Sequence, residues 1–91
     1  MRRSKLEMYV DILRILASQG PMKLTQLVHK TDLSQGFLKQ HLRFLIQQSL
    51  IEKQNFSKGE IFYTITERGL KVLNIVVPII EEARKIPAVL Y

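Results

Sequence analysis

Three residues, Asp32-Leu33-Ser34, separate two short stretches of helical periodicity, and a strand–turn–strand pattern follows the second. That order confines the chain to very few folds. From Leu24 to Thr31, residues Leu24, Leu27 and Val28 recur on one helix face. Ser34 is a good N-cap for the next helix, which is predicted to run to about Gln48. At about 100° per residue, Leu38, Leu42 and Leu45 fall on one side of it. Gly36, Lys39, Gln40, Arg43 and Gln47 fall on the other, and Phe37, His41, Phe44 and Gln48 lie along a flank. Leu50–Phe56 and Glu60–Ile65 are rich in β-branched and aromatic residues, and Ser57-Lys58-Gly59 between them marks a turn.

The flanking segments complete the order. Ser4-Lys5-Leu6-Glu7 has the form of a capping box, in which the serine hydroxyl and the glutamate each satisfy a free backbone N–H. One apolar stripe follows at Leu6, Tyr9, Val10, Leu13, Leu16 and Ala17, and a second at Met8, Ile12 and Ile15. Two stripes predict a first helix covered on two sides. Gly20-Pro21 ends it, since glycine accepts a left-handed backbone and proline cannot continue a helix. Thr66 caps a last helix, Glu67 suits its positive first turn, and the pattern reaches Ile86. Pro78 inside it predicts a kink or break between Asn74 and Pro78. The fold class is therefore α+β, mainly helical: a winged helix-turn-helix with a C-terminal dimerisation helix. Residues 1–69 are expected to form the winged helix-turn-helix part and residues 70–91 a C-terminal helical part.

Charge narrows the partner. The 91 residues carry 14 Lys+Arg against 8 Asp+Glu, a formal charge of +6, which favours a polyanion such as nucleic acid. From Ser34 to Ile51 there are two cations and no carboxylate. Lys39, Gln40 and Arg43 can bond base edges or phosphates, and Ser34 and Gln35 lie at a helix N-terminus, whose free N–H groups suit a phosphate. Lys53 and Lys58 place cations on the wing, beside Gln54, Asn55 and Ser57, and Arg2, Arg3 and Lys5 form a basic N-terminal arm.

Other classes lack their residues. With no cysteine there is no disulfide framework or thiolate site. His29 and His41 have no second ligand at zinc spacing, and Asp32 near His29 has no nucleophile placed with it. Glu81 and Glu82 diverge on a helix, and no glycine-rich phosphate loop is present. No enzymatic activity, cofactor, metal or small-molecule ligand is expected. The most apolar run, Val72–Ile80, is nine residues long, well short of the ~20 that span a membrane. Met1-Arg2-Arg3 mimics the start of a signal peptide, but Glu7, Asp11 and Arg14 follow in place of an apolar core. A cytoplasmic, nucleoid-associated protein is the expectation.

Several stretches resemble winged-helix regulators. Leu33-Ser34, Leu38-Lys39-Gln40-His41-Leu42 and Phe44-Leu45 are of this kind, as are Leu50-Ile51-Glu52-Lys53 and Tyr63-Thr64-Ile65-Thr66-Glu67-Arg68-Gly69 with Leu73. With Arg3-Ser4-Lys5-Leu6-Glu7 and Asp11-Ile12-Leu13, the chain most resembles the ten-kilodalton winged-helix DNA-binding proteins of thermophilic archaea, over residues 3 to 73. The resemblance implies binding of double-stranded DNA as a homodimer joined by a long C-terminal helix in an antiparallel coiled coil. The chain departs from that pattern at Ser49, where the family usually has glycine, and at Pro78, which interrupts the coiled-coil helix.

The dimer is also argued from the residues. Leu70, Leu73, Val77 and Ile80 form one stripe of the last helix, and Val72, Ile75, Val76, Ile79 and Ala83 another. A helix apolar nearly all round must be buried nearly all round, and a domain of this size covers only one side. Leu70, Leu73, Val76, Val77 and Ile80, with Met8 and Ile12 of the first helix, are the expected dimer contacts. The alternative is a winged helix that binds protein within a transcription or replication complex, an option that Phe37 and Phe44 keep open.

Overall fold

The computed structural model describes residues 4–57 and 59–85. The elements run α1 (Lys5–Gln19), α2 (Leu24–Thr31), α3 (Gln35–Gln47), β1 (Ile51–Ser57), β2 (Glu60–Ile65) and α4 (Glu67–Arg84). The capping box forms: Glu7 N–H donates to Ser4 Oγ at 3.1 Å, and Ser4 N–H reaches Glu7 Oε1 at 3.5 Å. Gly20, at φ 82°, closes α1 in a backbone conformation that only glycine adopts readily. Ser34 caps α3 by accepting the Phe37 N–H at 3.3 Å. Asp32 holds the left-handed turn between α2 and α3.

β1 and β2 pair antiparallel, with Ile51 opposite Ile65, Lys53 opposite Tyr63 and Asn55 opposite Ile61, and a bulge follows Asn55. A single bridge from Met22 to Tyr63 pins the α1–α2 connection to the free edge of β2. The core gathers the inward leucines of every helix, Leu13, Leu16, Leu27, Leu38, Leu42, Leu45 and Leu73, with Ile12 and Ile51. α1 is central and touches α2, α3, β2 and α4, so its two apolar stripes are both occupied within one chain.

Two of the expected dimer contacts and the expected break at Pro78, though not the kink, are corrected here. Ile12 is 0% exposed and Leu73 8%, so both are core residues and offer nothing to a second subunit. The surplus stripe on α1 meets the rest of its own chain. At Pro78 the helix does not break: α4 continues from Glu67 to Arg84. Proline removes the N–H that would have bonded the Asn74 carbonyl, but both residues lie on the exposed side, where water can take up that carbonyl.

The junction of α3, the wing and α4 is tightly tied. Thr66 Oγ1 accepts the Gly69 N–H at 3.0 Å and donates to the Ser49 carbonyl at 2.7 Å. Thr66 N–H donates to the Leu50 carbonyl at 3.0 Å, and Arg68 Nε donates to the Gln48 carbonyl at 3.0 Å. Ser49 sits at φ 60°, which explains the glycine usual there: the left-handed conformation costs a side chain about 1–2 kcal/mol. Gly69 lies against the Leu50 carbonyl and Ile65, with no room for a Cβ. Gly69→Ala is therefore expected to lower stability by about 2–3 kcal/mol, read as a fall in urea midpoint at unchanged m-value.

Candidate nucleic-acid interface

α3 presents its polar side to solvent because Leu38, Leu42 and Leu45 are anchored in the core. Gln35, Lys39, Gln40 and Arg43 are exposed on it, and Ser34 is exposed at its cap. The inner face of the hairpin faces the same side. Between them lies a cleft of about 480 Å³ lined by Lys39, Arg43, Gln47, Lys53 and Tyr63, with Leu42 and Ile46 at its floor. Lys39, Arg43 and Lys53 were among the expected DNA contacts; Gln47 and Tyr63 were not. Gln47 was legible from helical phase. Tyr63 carried no such signal, because the bridge to Met22 positions it.

Charge is divided across the molecule. On the α1–α4 side, four cations are matched: Arg84 pairs with Glu7 at 2.8 Å, Arg14 with Glu81 at 3.6 Å, Lys71 with Glu67 at 3.9 Å and Lys85 with Glu82 at 3.2 Å. The Arg84 guanidinium, with the Ser4 backbone, holds the Glu7 carboxyl below its ordinary pKa. Around the cleft, Lys39, Arg43 and Lys53 have no ion-pair partner among the described residues. Unpaired cations on an exposed face attract an outside anion, because no internal carboxylate competes. Lys58, Arg2 and Arg3, singled out in the sequence, lie outside the described residues.

The flank of α3 does something else. Tyr9 of α1 stacks on Phe44 with centroids 4.7 Å apart and meets His41 edge-on at 5.1 Å, while Phe37 lies 5.1 Å from His41. His41 is 3% exposed, and its Nε2 has no hydrogen-bond partner. This cluster fixes how α3 is set against α1.

Next to it, an apolar groove of about 260 Å³ runs between α1 and α4, lined by Leu6, Tyr9, Val10, Phe44, Val72 and Val76 among others. On α4, Val76, Val77 and Ile80 are half-buried against the core, Leu70 is exposed, and Met8 of α1 is half-buried. The residues that stand furthest out, Ile75 and Ile79 at 64% and 62% exposure, were not among the expected contacts. Their second-stripe position was visible in the sequence. Only packing shows that Leu73, Val77 and Ile80 of the first stripe turn inward together with Val72 and Val76 of the second.

Among the described residues no group of three or more His, Asp or Glu side chains can hold a metal ion, and no helix is long and apolar enough to cross a membrane.

The sequence matches the winged helix-turn-helix family over residues 2–84, and the chain belongs to that family. The fold is shared with solved structures at low identity. The transcriptional regulator YodB of Bacillus subtilis, in its reduced form, is 20% identical with a TM-score of 0.74, covering 96% of this chain and 83% of that one. BpsR of Bordetella bronchiseptica, whose DNA binding is regulated by 6-hydroxynicotinic acid, is 21% identical with a TM-score of 0.75, over 82% and 54% of the two chains. ZitR of Lactococcus lactis, solved in complex with DNA, is 18% identical with a TM-score of 0.67, over 81% and 50%. The chain thus spans about half the length of the last two. No curated protein sequence matches it.

His41 makes stability depend on pH. Burial, then the nearby Lys5 charge, holds its folded pKa below the ordinary value near 6.5. The unfolded chain thus binds a proton that the folded one refuses. The stability contributed above pH ~6.5 is lost as pH falls through that value toward the folded pKa. The urea midpoint is expected to drop between pH 7.5 and 5.5, about one unit either side of the ordinary histidine value, and His41→Phe is expected to flatten that drop.

Proposed function

We propose that this protein binds double-stranded DNA as a homodimer and acts as a transcription regulator or organiser of DNA, with α3 in the major groove and the wing on the adjacent backbone. The observation that carries the reading is the convergence around one cleft of Lys39, Arg43 and Lys53, which have no ion-pair partner among the described residues, while Arg14, Lys71 and Arg84 on the α1–α4 side are paired. Family membership supports it, as does the solved DNA complex of ZitR, a protein of the same fold. The resemblance of the opening segment to archaeal ten-kilodalton DNA-binding proteins supports it too. Arg43 and Gln40 are assigned to base edges, Lys39 and Lys53 to phosphates, and Ser34 and Gln35 to a phosphate at the start of α3. A protein-binding winged helix would need an apolar outward face on α3. Phe37 and Phe44 are instead on the flank beside Tyr9 and His41.

The reading predicts distinct mutant behaviour in a salt series on specific and scrambled duplexes. Arg43→Ala should cost about 1–3 kcal/mol and relax preference at one base pair per half-site. Lys53→Ala should weaken all sequences alike and lower the slope of log K against log salt by about 1 per contact. Unchanged affinity and slope in Lys39→Ala/Arg43→Ala would remove α3 from the interface.

Homodimerisation is assigned to the α1–α4 side, with Ile75 and Ile79 as the protruding contacts and Leu70 and Met8 beside them. Four isoleucines per dimer, each burying about 1 kcal/mol or more, make Ile75→Glu/Ile79→Glu weaken dimerisation at least about a thousandfold. Sedimentation should then show a folded monomer. A wild-type chain that sediments as a monomer at micromolar concentration would contradict the dimer.

A further inference from the structure

The groove between α1 and α4 has no charged side chain in its lining. Leu6, Tyr9, Phe44, Val72 and Val76 form its walls, and core leucines lie beneath them. Leu6 is 52% exposed and Phe44 39%, so the groove is open as well as apolar. At about 260 Å³ it is larger than an apolar cavity of ~150 Å³ that holds a benzene ring. Apolar surface of this kind gains free energy when it is covered.

Three features point to the chain's own last residues as the cover. The first is where α4 ends. Arg84, its last residue, pairs with Glu7 at 2.8 Å, and Glu7 follows Leu6 in α1. The chain therefore leaves α4 beside one end of the groove. The second is composition. Beyond the described residues the sequence reads Ile86-Pro87-Ala88-Val89-Leu90-Tyr91, six residues without a charged side chain. Pro87 lacks the N–H that would continue α4 and disfavours a helical Ile86, so the chain is free to change direction there. The third is length. Six residues reach up to about 20 Å, whereas α1 rises only about 10 Å between Leu6 and Leu13, both of which line the groove. A second copy fits the concavity less well. Ile75 and Ile79 protrude outside the lining, and a two-fold contact centred on them sets one protruding patch against its own copy.

We propose that residues 86–91 fold back along the groove of their own chain and seat Val89, Leu90 and Tyr91 against Tyr9, Phe44, Val72 and Val76. Phe44 belongs to α3, so the docked tail braces that helix from behind. The contact needs neither DNA nor a second copy.

Nuclear Overhauser contacts test this on the full chain. The Val89 and Leu90 methyl groups should show contacts to the Tyr9 and Phe44 rings and to the Val72 and Val76 methyl groups. In an equal mixture of isotope-labelled and unlabelled chains, filtered for contacts between chains, those contacts should be absent. Val89→Asp/Leu90→Asp should abolish them and lower the urea midpoint, because a carboxylate is not desolvated in a groove that offers it no partner. Absence of the tail contacts from the wild type overturns the proposal. Their appearance between chains also overturns it and gives the groove to the tail of a second copy. Contacts between chains from Ile75 or Ile79 to the Tyr9 ring overturn it in favour of a second copy's α4. A urea midpoint unchanged in the aspartate variant overturns the bracing role and with it the proposal. None of these outcomes bears on DNA binding, which the salt series decides separately.

Discussion

The side chain of Thr66 joins the parts that must keep a fixed relation for the molecule to present one surface. Its hydroxyl caps α4 through Gly69 and holds the Ser49 carbonyl, while its N–H holds that of Leu50. The end of α3, the base of the wing and the start of α4 thus meet within one network of hydrogen bonds. Gly69 lets α4 approach the Leu50 carbonyl directly. The placement of Lys53 relative to Lys39 and Arg43 depends on this joint, because β1 leaves α3 through the strained turn at Ser49.

Given that frame, the division of charge follows from which faces remain solvent-exposed. The α1–α4 side carries carboxylates at Glu7, Glu67, Glu81 and Glu82, and its cations find them. Such surface pairs contribute little stability each. Their consequence here is that four of the cations on the side away from the cleft are offset by carboxylates beside them. On the other side the sequence supplies no carboxylate between Ser34 and Ile51, and the register turns Glu52 and Glu60 outward. The positive field is concentrated where α3 and the wing converge.

The apolar surface divides in the same way. The core takes Val72, Leu73, Val76, Val77 and Ile80 from the two stripes of α4, leaving the groove beside Tyr9 and Val72 and the exposed Leu70, Ile75 and Ile79. Pro78 does not disturb this arrangement, since the hydrogen bond it removes belongs to the exposed side of the helix. Among the described residues, His41 Nε2 is the one buried side-chain polar atom without a hydrogen-bond partner, and it sits where α3 meets α1.

Local signals in the sequence were enough to set the element order. Ser4 with Glu7, Gly20, Ser34 and Thr66 each satisfy or terminate a helix end through contacts a few residues away, and β2 and α2 have the extents their patterns predicted. The outward residues of α3 follow from helical phase once the leucines are inward. What the sequence could not decide depends on contacts between distant segments. Two apolar stripes on α1 read equally as core or as interface, and only packing shows Ile12 and Leu73 enclosed within one chain. Likewise, a hairpin has two faces of equal standing until the Met22–Tyr63 bridge and the seat on α3 fix which one turns inward. Periodicity gives each element its own faces. Their orientation in space is set by burial and hydrogen bonding among residues far apart in the chain.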